Sequence, residues 1–209
     1  MNRLVKFFFL YLIPIFIFIA LLFSETGLFY KITEIRWFYI LSLSFLVSYF
    51  ITPAVRLLAL KIGVVDKPDE RKIHQFPTPR LGGLAVYIAF AAVVIYNFQF
   101  SLELKGIAIA STIVMLAGFM DDIFGLSAKI KLLIQIIAVS IMMYYGVILS
   151  FMPPAWWGDI LEILITYLWI IGITNAMNFI DGMDGLATGL TAISLFYISI
   201  VAIQTGQNY

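Results

Sequence analysis

Two adjacent carboxylates, Asp121 and Asp122, are the first residues in this chain whose types and spacing could do chemistry. Two such groups ~4 Å apart repel each other by about 4 kcal/mol at an effective dielectric constant of 20. The pair therefore needs a cation, or one carboxylate must turn away or become protonated. The alternative is a pair of solvated acids that marks a helix end.

A second polar group recurs at every third position, as Asn175, Asn178, Asp181 and Asp184. If this stretch is helical, the four side chains share one slowly drifting face. If it unwinds at the glycines that follow the two aspartates, the Asp-Gly turns present free N–H groups that can hold an anion. A plain Asp-Gly connector is the alternative to either arrangement.

A loop at residues 65–83 carries the basic groups. Its three prolines resist helix formation and favour a stiff, extended chain. Its donors suited to phosphate oxygens are Arg71, Lys72, His74 and Arg80. The alternative is a loop that fixes membrane topology and binds anionic lipid.

The kind of metal follows from residues that the chain lacks. With no cysteine and one histidine, the sequence has neither a thiolate site nor a multi-histidine zinc site. An all-oxygen site suits Mg²⁺ or Mn²⁺. Carboxylates, amides and phosphate-binding cations together are what metal-assisted phosphoryl transfer requires. No Walker-type loop is present, which argues against an NTPase.

The composition predicts that these residues belong to a membrane protein. The 209 residues are 63% hydrophobic and 12% charged, with a mean hydropathy of +1.03, so a soluble domain is excluded. A net charge of +1 argues against nucleic acid as a partner. Seven apolar stretches predict an all-α, polytopic transmembrane helical bundle that forms one domain over 1–209, with spans at 7–23, 37–60, 81–98, 106–120, 130–149, 160–174 and 186–203.

Basic residues orient these spans, because Lys and Arg accumulate in cytoplasmic loops. Nine lie on one side, namely Arg3, Lys6, Lys61, Lys67, Arg71, Lys72, Arg80, Lys129 and Lys131. Three lie on the other side, namely Lys31, Arg36 and Lys105. The acidic motifs fall on the richer side, so the chemistry is predicted to face the cytoplasm.

Three motifs, in this order, resemble the polyprenyl-phosphate N-acetylhexosamine-1-phosphate transferases (glycosyltransferase family 4). They are the loop from Asp66-Lys67-Pro68 to Pro79-Arg80-Leu81-Gly82-Gly83, the Asp121-Asp122 pair, and the run from Asn178-Phe179-Ile180-Asp181 to Gly182-Met183-Asp184-Gly185. The basic first motif is more similar to the WecA/TagO branch, which primes O-antigen and teichoic-acid synthesis, than to the MraY branch.

The resemblance implies a reaction in which a UDP-N-acetylhexosamine, with GlcNAc favoured, and undecaprenyl phosphate give a lipid-diphosphate sugar and UMP, at the cytoplasmic face of a bacterial plasma membrane. It implies that Asp121 and Asp122 handle the lipid phosphate. It also assigns Asn178, Asp181 and Asp184 to the nucleotide and metal region, with Asn178 and Asp181 as metal ligands and Asp181 also catalytic. Lys72, His74 and Arg80 would contact phosphates. A homodimer is compatible with the resemblance.

The chain departs from that family, whose members carry a later metal motif and a His-rich loop. We therefore expect a chain truncated on its C-terminal side, which would insert into a membrane but not turn over alone. Two alternatives are a non-catalytic fragment and a cation or proton transporter with acids along its path. The acids cluster on one side of the membrane, which argues against a transport path.

Overall fold

The computed structural model describes residues 8–23, 36–66, 78–96, 101–181 and 185–204. In chain order, its elements are a π-helical turn (Phe8–Leu12), α1 (Ile13–Phe23), α2 (Arg36–Ile62), β1 (Val65–Asp66), β2 (Thr78–Pro79), α3 (Gly82–Tyr96), α4 (Leu102–Phe124), α5 (Ala128–Tyr144), α6 (Trp156–Ile180) and α7 (Leu186–Gln204). The predicted all-α class is confirmed, since the strands are two residues each.

Each of the seven predicted spans overlaps one of the helices α1 to α7. Three segments are long and apolar enough to cross a bilayer, namely Tyr39–Ile62, Leu102–Phe124 and Trp156–Ile180. Large apolar side chains cover the outside of these helices; Leu57 and Leu168, for example, are 68% and 74% exposed. Such surfaces are stable in lipid, so the chain is a membrane protein, while the number of crossings stays a prediction.

The helices α4 and α6 extend beyond the apolar stretches predicted at 106–120 and 160–174. A prediction from hydropathy ends each span at the first polar residues, although helical hydrogen bonding continues through them. The α4 helix begins at Ser101, whose side chain accepts a hydrogen bond from the Leu104 N–H at 3.2 Å. It ends at Gly125, which adopts a φ of +67° and donates its N–H to the Asp121 carbonyl. The adjacent acids of the first motif are therefore helical residues.

The helices pack against their neighbours in sequence order, α1 on α2, α2 on α3 and so on to α7. Between α2 and α3, small and branched side chains form a buried cluster of Val55, Ala59, Val64, Leu81 and Ala85. Phe119 of α4 packs against this cluster. The antiparallel pairing of β1 with β2 sets Asp66 opposite Thr78 and joins the two ends of the basic loop. This packing places Arg80 beside the end of α4.

At the opposite end of the bundle, the segment 147–155 folds back onto α6. Glu162 is 8% exposed, and its Oε1 accepts the N–H groups of Phe151 and Met152, each at 2.8 Å. One turn further along, Thr166 Oγ1 accepts the Leu149 N–H at 3.1 Å. These bonds satisfy backbone donors that lipid cannot satisfy, so Glu162 has a structural role.

Replacing Glu162 with alanine is expected to lower the free energy of unfolding by about 2 kcal/mol, because two backbone donors lose their acceptor. Thermal unfolding of the purified protein in detergent measures the effect. Glu162→Gln keeps one acceptor oxygen and should lie between the alanine variant and the native protein. An alanine variant as stable as the native protein would show that water replaces the carboxylate there.

Candidate active site at the acidic helix ends

Four of the predicted site residues come together at one end of the bundle. Asp121 and Asp122 occupy the last turn of α4, Asp181 directly follows α6, and Arg80 lies between β2 and α3. The charges of Asp121, Asp181, Arg80 and Lys131 all act on the Asp122 carboxylate. These five residues are called the carboxylate cluster below. Its three acids and two bases have a formal charge of −1.

The two adjacent acids lie in different surroundings. Asp121 Oδ2 lies 2.6 Å from Lys131 Nζ at the start of α5. Its other oxygen, Oδ1, accepts the Leu126 N–H at 2.8 Å. Both oxygens of Asp121 thus have a partner at the α4–α5 connection, and the cation is a lysine side chain. Asp121 is consequently held in place as an anchor of that connection.

Asp122 instead lines a groove of ≈ 670 Å³ between α3 and α4. The rest of the groove wall is formed mainly by apolar side chains and glycines, namely Leu81, Gly83, Leu84, Val86, Tyr87, Phe90, Ile107, Ser111, Val114, Met115, Gly118 and Phe119. Val86 is 65% exposed, so the groove opens on the outer surface of the bundle. An apolar chain with a polar head would therefore meet Asp122 with its head.

The helix dipoles add negative potential to the same place. Both α4 and α6 end at the carboxylate cluster, and neither has a basic residue in its last turn. A helix C-terminus carries about half a negative charge, so an acid there is unfavourable. Three acids at two such ends form a site that attracts a cation.

The second predicted motif is helical as far as Ile180. Asn175 and Asn178 lie in the last two turns of α6, and the Asp181 N–H donates to the Met177 carbonyl at 3.0 Å. The helical alternative is therefore confirmed for this part of the motif. The predicted site residues Lys72, His74 and Asp184 lie outside the described residues.

Within the described parts of the chain, no three Asp, Glu or His side chains are close enough to hold a metal by themselves. Asn178 and Asp181, the predicted metal ligands, are both exposed at the end of α6. Mg²⁺ is commonly bound by one or two carboxylates together with substrate phosphates and water. The oxygen donors present fit that kind of site, and the substrate would supply the remaining ligands.

Two residues of this region were not predicted as site residues. Lys131, counted only as a basic loop residue, pairs with Asp121, and Gln135 exchanges hydrogen bonds with Asn175. One signal was available for Gln135, because it is the one amide in the apolar stretch 130–149 and polar side chains in spans are seldom incidental. Lys131 lies one helical turn before it, on the same face.

Sequence comparisons relate the chain to one enzyme family. The profile of Glycosyl transferase family 4 matches residues 104–209. The chain is 38% identical over 170 residues to the probable undecaprenyl-phosphate N-acetylglucosaminyl 1-phosphate transferase of Bacillus subtilis. The alignment covers 78% of this chain and 48% of that protein.

Two further relatives agree. A decaprenyl-phosphate N-acetylglucosaminephosphotransferase of Mycolicibacterium smegmatis is 37% identical over 174 residues, with 76% of this chain and 43% of the relative covered. An undecaprenyl-phosphate alpha-N-acetylglucosaminyl 1-phosphate transferase of Escherichia coli K12 is 34% identical over 167 residues, with 73% of this chain and 43% of the relative covered. The chain thus spans somewhat less than half the length of these relatives. No solved structure matches it.

Proposed function

Since the chain belongs to glycosyl transferase family 4, we propose that it acts in the transfer of N-acetylglucosamine-1-phosphate from a UDP-sugar to a polyprenyl phosphate, with release of UMP. The observation that carries this proposal is the apolar groove that ends at Asp122 in the carboxylate cluster. It suits a substrate whose long apolar chain ends in a phosphate. The relatives named above are transferases to undecaprenyl or decaprenyl phosphate.

In the proposed reaction, an oxygen of the lipid phosphate attacks the sugar-linked phosphorus of the UDP-sugar. The bond from that phosphorus to the bridging oxygen breaks, and UMP leaves with the electron pair. A phosphate oxygen is already a competent nucleophile, so the protein mainly has to align two anions and neutralise their charge. Arg80, whose charge acts on the Asp122 carboxylate, supplies part of that neutralisation.

The remaining charge favours a divalent cation at the carboxylate cluster. The cluster has a formal charge of −1 before either substrate binds, and two helix C-termini add to it. We propose that Asn178 and Asp181 hold Mg²⁺ or Mn²⁺ and that Asp122 orients the lipid phosphate. The bound metal would supply electrostatic stabilisation of the transferring phosphoryl group. Lys72 and His74 stay predicted phosphate contacts, and Asp184 stays a predicted residue of the nucleotide and metal region.

The proposed reaction is tested by UMP release from UDP-GlcNAc, with undecaprenyl phosphate and Mg²⁺, by the purified protein in detergent, both alone and in a full-length context, joined to the C-terminal half of a family member. UDP-GalNAc serves as the matched donor that differs at one hydroxyl. Metal-dependent UMP release that requires both substrates supports the proposal. Metal- and lipid-independent release, or none with either donor in the full-length context, contradicts it.

We also propose that the carboxylate cluster faces the cytoplasm of a bacterial cell. Because the chain has no cysteine, single cysteines can report sidedness without background. Ser127→Cys lies beside the cluster, and Pro154→Cys lies in the exposed segment at the other end. In intact cells an impermeant maleimide should label position 154 and not 127, whereas permeabilised cells should label both. Labelling of position 127 in intact cells would reverse the topology.

A further inference from the structure

The amide pair between Gln135 and Asn175 lies next to the proposed site, and nothing in the proposed reaction uses it. Gln135 Nε2 donates to Asn175 Oδ1 at 3.3 Å, and Asn175 Nδ2 donates to Gln135 Oε1 at 2.9 Å. Asn175 Nδ2 also donates to the Ile171 carbonyl at 2.9 Å, one turn back along α6. The pair therefore joins α5 to α6 by two reciprocal bonds, and the Asn175 amide is itself held in orientation by its own helix.

Helix geometry connects this pair to the carboxylate cluster. Gln135 follows Lys131 by one turn on the same face of α5, about 6 Å along the axis. Lys131 contacts Asp121 at the end of α4, whereas Gln135 contacts α6. Within one turn, α5 is thus attached to both helices that carry the acids. Asp181 follows Asn175 by six residues, about 9 Å along α6.

We propose that Gln135 is a positioning residue that sets the height and rotation of α6, and thereby the place of Asp181 relative to Asp122. Apolar contacts alone let neighbouring helices slide, whereas two reciprocal amide bonds allow one register. An unpaired amide in an apolar environment is costly, so the pair reforms whenever the helices meet. A misplacement of about 1 Å in a reacting geometry can lower a rate by about a hundredfold. This inference rests on the proposed transferase function.

Three variants test the role of Gln135. Gln135→Met keeps the side-chain length and removes the bonds. The exchange Gln135→Asn with Asn175→Gln keeps the donors, the acceptors and the summed length. Tyr167→Phe is the matched control, since the Tyr167 hydroxyl bonds Ser140 at 2.7 Å between the same two helices but further from the cluster.

In the UMP-release assay, Gln135→Met should lower kcat by between about tenfold and a hundredfold and leave both KM values within about twofold. The exchange should restore most of kcat, and Tyr167→Phe should keep it. A Gln135→Met variant with native kcat overturns the proposal. So does an exchange variant that restores nothing, or a Tyr167→Phe variant with an equal loss.

A second measurement does not depend on activity. Spin labels are attached at Lys129→Cys and Phe179→Cys, two exposed positions on α5 and α6. Pulsed electron paramagnetic resonance in nanodiscs then reports the distance between the two helix ends. Gln135→Met should shift or broaden the distance distribution, and the exchange should restore it. An unchanged distribution in Gln135→Met overturns the positioning role. Because this readout needs no substrate, it separates failure of the inference from failure of the proposed reaction.

Discussion

Replacing Asp181 with asparagine is expected to lower the rate of UMP release by at least about a hundredfold, while the protein becomes slightly more stable. The rate falls because asparagine keeps the size of the side chain but removes the charge proposed to hold the metal, and loss of one preorganised contact costs about 10²–10³ in rate. The stability rises because an acid at a helix C-terminus is unfavourable by about 0.3–1 kcal/mol. The UMP-release assay and thermal unfolding measure the two effects.

Asp122→Asn should show the same loss of activity, because it removes the carboxylate at the end of the groove. Asp159→Asn is the matched control, since Asp159 is an exposed acid in the first turn of α6, at the other end of the same helix as Asp181. It should keep full activity. Native turnover in the Asp181 or Asp122 variant at saturating Mg²⁺ would remove that residue from the proposed site.

Filling the groove is expected to weaken binding of the lipid substrate without affecting the sugar nucleotide. Gly118 lines the groove, and a Cβ atom there would meet no other atom within 4 Å. Gly118→Leu would displace about three methylene groups of a bound chain, each worth about 0.8 kcal/mol. The KM for undecaprenyl phosphate should rise roughly fiftyfold, and the KM for UDP-GlcNAc should stay within about twofold.

The matched control for this variant is Gly172→Leu. Gly172 lies in α6, outside the groove wall, and a Cβ atom there would also meet nothing within 4 Å. Both variants replace a helical glycine with a better helix former, so neither should lose stability. Equal KM values for the lipid in the two variants would show that the lipid chain does not use the groove.

The fold class was predictable because the chain is mostly apolar, and a backbone in lipid must satisfy its hydrogen bonds internally, as a helix does. The helix ends were harder to predict. Hydropathy depends on the side chains, whereas the backbone hydrogen bonds of α4 continue past Asp121 to Gly125. That the adjacent acids must bind a cation, turn apart or lose a charge followed from charge repulsion alone. That the cation is Lys131 did not, because the pairing depends on how the α4–α5 turn folds.

Contacts between helices lay beyond what a single sequence shows. A glutamine in an apolar stretch signals that it has a polar partner, but its spacing does not say that the partner is Asn175, forty residues later. The groove could not be predicted from the sequence either, because its walls come from two helices, α3 and α4, and depend on how they pack. The motifs therefore indicate residue types suited to the proposed chemistry, whereas packing decides which of them meet.

The packing of each helix on its sequence neighbours bears on how the protein is made. Contacts between consecutive segments require little loop closure, so they can form while the ribosome is still synthesising the chain. On that schedule the α4–α5 hairpin, with Asp121 already neutralised by Lys131, enters the bilayer as a unit. Asp181 joins later, when α6 inserts and its amide finds Gln135. Biosynthesis would thus assemble the cluster stepwise, one helix end at a time.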